Sequence, residues 1–112
     1  MRLFVDDYRQ CPPGWNWAKT VSEAIRAIDS QEIEVLALDH DIKDSTETFE
    51  AVARHFAIAV RAGLQRKDIP IFIHTGNPVG GMKMKEILEL AGCIKVSGAC
   101  YDEYFGMEAP RV

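Results

Sequence analysis

The stretch Val35-Leu36-Ala37-Leu38-Asp39-His40-Asp41-Ile42 decides how this chain is read. Four apolar residues run straight into two carboxylates with an imidazole between them. A continuous apolar run without polar alternation marks a strand buried on both faces, as in a parallel sheet. The predicted strand covers Glu34 to Leu38, and its polar triplet falls just past the C-terminal end. The same pattern occurs twice more. Leu3-Phe4-Val5 stops at Asp6-Asp7, and Ile69 to Ile73 stops at His74-Thr75. Pro70 sits near the start of that strand, where a missing N–H is tolerated.

Helical periods fill the gaps. Thr20 is a predicted N-cap with Glu23 three residues on, a capping box, and Val21, Ala24, Ile25 and Ile28 follow at helical spacing. Phe49, Val52, Ala53, Phe56, Ala57 and Val60 form an apolar stripe, with Gly63 as its stop. Gly80-Gly81 are expected to open a third helix, with Met84, Ile87, Leu88 and Ala91 on its buried face and Gly92 at its end. Cys11-Pro12-Pro13-Gly14 is a loop, because two prolines and a glycine deny it regular structure. Trp15 to Lys19 and Ile94 to Val96 are short strands. Ser97 to Val112 holds aromatics without a helical period. Strands alternating with helices predict a single α/β domain over 1–112, doubly wound, with a parallel sheet, right-handed crossovers and helices on both faces.

Composition bounds the function. Of 112 residues, 47% are hydrophobic and 27% charged, as in an ordinary globular domain. A net charge of −4 argues against electrostatic wrapping of extended duplex DNA. No apolar stretch reaches the ~18 residues of a membrane span, and acid arrives too early at the N-terminus for a signal peptide. Cys11, Cys93 and Cys100 are widely spaced and odd in number, which predicts thiols in a reducing cytoplasm.

In open parallel sheets the chemistry lies outside the carboxyl ends of the strands. Asp6, Asp7, Asp39, His40, Asp41, His74, Thr75 and Asn77 all fall there and are expected to share one crevice. Grouped carboxylates repel, and a hard divalent cation such as Mg²⁺ or Mn²⁺ relieves the repulsion. Asp6, Asp7 and Asp39 are the expected ligands. Asp44, Ser45 and Asp68 read as turn and cap residues. His40 and His74 could face one ligand as general base and acid, and His55, on the long helix, has no assigned role. Free N–H groups at Gly80 and Gly81 could hold an anion. Arg9 either pairs with Asp7 or Asp39 or grips a phosphate. Trp15 and Trp17 could stack on a base, and packing is the more usual use of such aromatics.

This arrangement resembles a response-regulator receiver domain, a flavodoxin-like fold. Asp6, Asp7, Asp39 and Thr75 stand in the order of that family's acid pair, phosphoacceptor and hydroxyl residue. No Lys-Pro follows the fifth strand, since Lys95 lies within Ile94–Val96. His40 and Asp41 are unusual after the acceptor, and the last helix looks shortened or replaced. A nearer resemblance, over almost the whole chain, is to the receiver-like family named for cyclic-phosphate processing. It is carried by LFVDDYRQCPPGW (Leu3 to Trp15), LALDHDI (Leu36 to Ile42) and IHTGNPVGGMKM (Ile73 to Met84). The resemblance, with the alternation above, implies a five-stranded sheet in the order 2-1-3-4-5. It also implies work on nucleotides or RNA ends carrying a cyclic phosphate.

Two functions follow. The first is a phosphoesterase: Asp6, Asp7 and Asp39 hold the metal, Asp39 also counts as catalytic with His40 and His74, which move protons, one as base and one as acid, and Arg9, Asp41, Thr75, Asn77, Gly80 and Gly81 contact the substrate phosphate. The second is a non-catalytic binding or signalling module, a class that includes a phospho-receiver at Asp39.

Overall fold

The computed structural model describes residues 1–98. Its elements are β1 (Arg2–Val5), β2 (Asn16–Ala18), α1 (Val21–Ser30), β3 (Val35–Leu38), α2 (Glu50–Arg61), β4 (Ile71–Ile73), α3 (Pro78–Leu90) and β5 (Val96–Gly98). The five strands form one sheet in the order β2-β1-β3-β4-β5, with every pairing parallel. This is the receiver-like, flavodoxin-like order expected. β1 and β3 are neighbours in the register Val5↔Leu38, so Asp6 and Asp39 leave the sheet side by side.

Of the expected helices on both faces, the described residues hold those of one face. Among the described residues all three helices cover one face. α1, α2 and α3 share a core with Leu3, Val5, Leu36, Leu38, Ile71 and Ile73. The physical reason is connectivity. The crossovers β2→β3, β3→β4 and β4→β5 all run in one direction across the sheet, and right-handed crossovers then put their helices on one side. Only β1→β2 runs the other way, and it carries the Cys11-Pro12-Pro13-Gly14 loop instead of a helix. On that face Phe4 and Ala37 pack with Cys11, Trp15, Trp17 and Phe72. The expected short or replaced last helix lies outside the described residues.

The caps set the element ends. The Thr20 hydroxyl accepts from Glu23 N at 3.1 Å, while Glu23 Oε1 takes the Lys19 N–H at 2.8 Å, one residue before the cap. α2 buries Val52, Ala53, Phe56 and Ala57, with Phe49 buried at its N-cap. α3 begins at Pro78, two residues before Gly80, because Asn77 caps it and Pro78 suits its first turn. β5 begins at Val96, not Ile94. Sheet register decides this: Ile71 pairs with Val96 and Ile73 with Gly98. Ile94 stays exposed, and Cys93 enters the core in its place.

Candidate functional site

Asp6 is wholly buried at the end of β1. Its Oδ1 accepts the backbone N–H groups of Tyr8 at 2.8 Å and Arg9 at 2.9 Å, which curls the chain back over the carboxylate. Its Oδ2 takes His74 Nε2 at 3.0 Å and Arg9 Nη1 at 3.2 Å. Trp17 Nε1 donates to the Asp6 carbonyl at 2.6 Å. Asp39 is 5% exposed. Its Oδ1 accepts from His40 N at 2.8 Å, and its Oδ2 lies 3.2 Å from the same Arg9 Nη1. Asp7 Oδ2 takes the Lys43 N–H at 2.8 Å. The carboxylates of Asp6, Asp7 and Asp39 thus come within 4.8 Å of one another. Arg9 is paired with Asp6 and Asp39, where sequence had left Asp7 or Asp39.

The two central carboxylates titrate in opposite directions. Burial would raise Asp6, but hydrogen bonds from His74 and from the Arg9 and Tyr8 amides outweigh it and hold the group below its ordinary value. Burial raises Asp39, and the neighbouring Asp6 charge adds to it, against the lowering pull of the His40 amide and Arg9. Asp6 therefore contributes stability that is present above pH 3.8 and lost as pH falls through its lowered pKa. Asp39 has the opposite sign: its contribution is present below pH 3.8 and lost as pH rises through its raised pKa. Asp39→Asn should melt higher than the wild type at pH 7, with the gain vanishing below about pH 3.8. A melting point at pH 7 below the wild type's would refute this.

The two histidines part company. His74 has no exposed surface. It extends β4 on the Phe72 side, and its ring stacks on Phe4 at 4.9 Å with an interplanar angle of 3°. The expectation that His74 faces a ligand is corrected: sheet alternation turns it into the Phe4 layer, where it holds Asp6. His40 goes to the helix-covered side. Its Nδ1 lies 2.7 Å from Asp41 Oδ1, and its Nε2 lies 3.8 Å from Glu50 Oε2 on α2. Asp41 itself is exposed, and bonds from His40 and then Asn77 hold it below the usual carboxylate range. Backbone pairing pins its loop: Asp41 bridges Thr48, and Phe49 N donates to the His40 carbonyl at 2.7 Å.

Asn77, Gly80 and Gly81 do not offer themselves to an anion. Asn77 Oδ1 accepts from Gly80 N at 3.0 Å, its carbonyl accepts from Gly81 N at 2.9 Å, and its Nδ2 donates to Asp41 at 3.2 Å. The expected anion-binding N–H groups are spent on the helix cap. Gly80 is required for a different reason. A Cβ there would sit 2.5 Å from His40 Cγ and Nδ1. Glycine to alanine inside a helix usually stabilises by about 0.5–1 kcal/mol. Here overpacking should reverse the sign and cost about 1–3 kcal/mol. Gly80→Ala should melt lower than the wild type and shift the His40 imidazole resonances; a higher melting point would show that the ring has room.

A crevice of about 460 Å³ opens over the acids, lined by Tyr8, Arg9, Asp39, Asp41, Lys43, Thr75 and Gly76. Thr75 Oγ1 accepts from Asn77 N at 3.1 Å, which sets the turn after β4. Tyr8 and Lys43 went unassigned in the sequence. Tyr8 is 69% exposed, and Lys43 Nζ lies 5.5 Å from its ring centre. Glu50 was missed as well; Arg54 and Lys83 hold it beside His40. The signal for Glu50 was its place in the first turn of α2, four residues before Arg54. Trp15 and Trp17 both pack, Trp15 edge-on to Phe4 at 6.5 Å between ring centres.

A parallel sheet in receiver order, with paired acids at the ends of β1 and β3 and a hydroxyl residue after β4, defines a receiver-like domain. The chain belongs to the cyclic-phosphate processing receiver domain family, whose model matches residues 1–90. Neither a curated protein nor a solved structure matches it. No helix among the described residues is long and apolar enough to cross a membrane.

Proposed function

We propose that this crevice binds the phosphate of a nucleotide or RNA end and opens a cyclic phosphodiester. The observation that carries the reading is the lining itself: Arg9 and Lys43 stand beside Asp39, Asp41 and Thr75 in a cavity of nucleotide size. The family's description points to the same chemistry. Arg9, Lys43 and the Thr75 hydroxyl hold the phosphate. Tyr8, exposed at the rim, offers its face to the base.

In the reaction the oxygen of water bonds to phosphorus, one bond from phosphorus to a ribose oxygen breaks, and that oxygen leaves with a proton. Asp41 accepts the proton from the attacking water, and His40, 2.7 Å behind it, holds its carboxylate in place. The same pair returns the proton to the leaving oxygen. Asn77 and Glu50 orient this pair from either side.

The alternative, a phosphorylated module, has less support. Lys95 lies before β5, at the end of the sheet away from the crevice, and both Asp39 oxygens already face donors. Incubation with 2′,3′-cyclic mononucleotides and with cyclic-ended RNA tests the enzyme. Release of the opened monoester supports it. No turnover in either EDTA or Mg²⁺, together with a stable acyl-phosphate mass shift at Asp39 after acetyl phosphate, would replace it with the module.

A further inference from the structure

We propose that Arg9 is the resident cation of the acidic cluster, standing where a divalent ion would stand, so that the site works without a metal. Three carboxylates within 4.8 Å, two of them buried, demand positive charge. The expected answer was Mg²⁺ or Mn²⁺. The guanidinium places one unit of positive charge there instead. A single nitrogen, Nη1, lies 3.2 Å from Asp6 Oδ2 and 3.2 Å from Asp39 Oδ2.

The remaining lone pairs are taken as well. Asp6 receives four donors on its two oxygens: the Tyr8 and Arg9 amides, His74 Nε2 and Arg9 Nη1. A carboxylate has about four acceptor sites, so Asp6 is full. Asp39 Oδ1 faces the His40 amide, and Asp7 Oδ2 faces the Lys43 amide. Mg²⁺ requires near-octahedral oxygens at about 2.0–2.1 Å. To meet that, an ion would have to expel Arg9. Arg9 also donates its own backbone N–H to Asp6, which keeps its side chain rooted beside the cluster. The guanidinium stays charged there, because arginine does not lose its proton in proteins.

Arg9 keeps its Nε and Nη2 donors beyond the Nη1 that the acids use, and its side chain, 28% exposed, lines the crevice. The acids hold the guanidinium in place, and the same group presents charge to a phosphate. That last step rests on the function proposed above; the claim about the metal does not.

The test separates the two. Wild-type protein is melted in EDTA and in about 10 mM MgCl₂ or MnCl₂, without substrate. Unchanged midpoints are expected. A rise of several degrees would mean that the folded protein binds the ion, and would overturn the proposal. Mn²⁺ titration followed by electron paramagnetic resonance compares wild type with Arg9→Gln, which vacates the place. Arg9→Gln should bind Mn²⁺ at least about tenfold more tightly; equal binding would overturn the proposal. If Arg9→Gln does not fold, the wild-type Mn²⁺ titration decides alone, with stoichiometric binding at micromolar ion against it. Failure of every cyclic phosphodiester to react would remove the enzyme and leave these binding results standing.

Discussion

His74→Ala is expected to cost the fold about 3–5 kcal/mol, as the truncation of a large buried ring does. The ring has no exposed surface and stacks on Phe4 at 4.9 Å. Its removal opens a cavity in the thin layer on the face without described helices, where few side chains can collapse inward. It also takes a hydrogen bond from Asp6, a buried carboxylate whose charge is held by that bond and by the Arg9 and Tyr8 amides. Urea denaturation at pH 7 measures the loss. A midpoint within error of the wild type would mean that His74 is not the strut the geometry makes it. His55 is the control: it makes an exposed pair with Asp29 at 2.7 Å, worth little.

His40→Ala should leave a folded protein and lower the turnover of a cyclic phosphodiester by about 10²–10⁴, the usual cost of losing a positioned acid or base. The imidazole is buried, wedged between Asp41, Glu50 and Gly80. Its loss leaves Asp41 in the crevice with only Asn77 to orient it. Turnover should fall in kcat more than in KM, because Arg9, Lys43 and Thr75, the proposed phosphate contacts, are untouched. Turnover equal to the wild type's would remove His40 and Asp41 from the proton pathway and turn attention to Asp39. Circular dichroism and melting separate this result from unfolding.

The elements that matter most for placing the crevice were legible because their signals are local. Val35–Leu38 and Leu3–Val5 are apolar without alternation, and that requires a sheet covered on both faces. The acids that follow them could then only meet at one edge. Where the signal was not local, sequence misjudged. β5 is offset by two residues because its register is set by Ile71 and Ile73 on the neighbouring strand. Gly80 looked like an anion cradle because a glycine pair before a helical period suggests free amides. Asn77 had already claimed them.

What the sequence determined by itself was the order of strands and helices, the loop in place of the first crossover helix, and the gathering of Asp6, Asp7, Asp39 and Asp41 at one end. Each follows from periodicity, proline and glycine chemistry, and the geometry of parallel sheets. Only the tertiary structure decided which way each polar side chain turns. Side chains past a strand keep alternating between the two sides, so His74 went into the Phe4 layer and His40 into the helix-covered side, and the two rings do not face one ligand as expected. It alone also put one nitrogen of Arg9 between two carboxylates contributed by different strands. That contact depends on a distance in space, and no spacing along the chain encodes it.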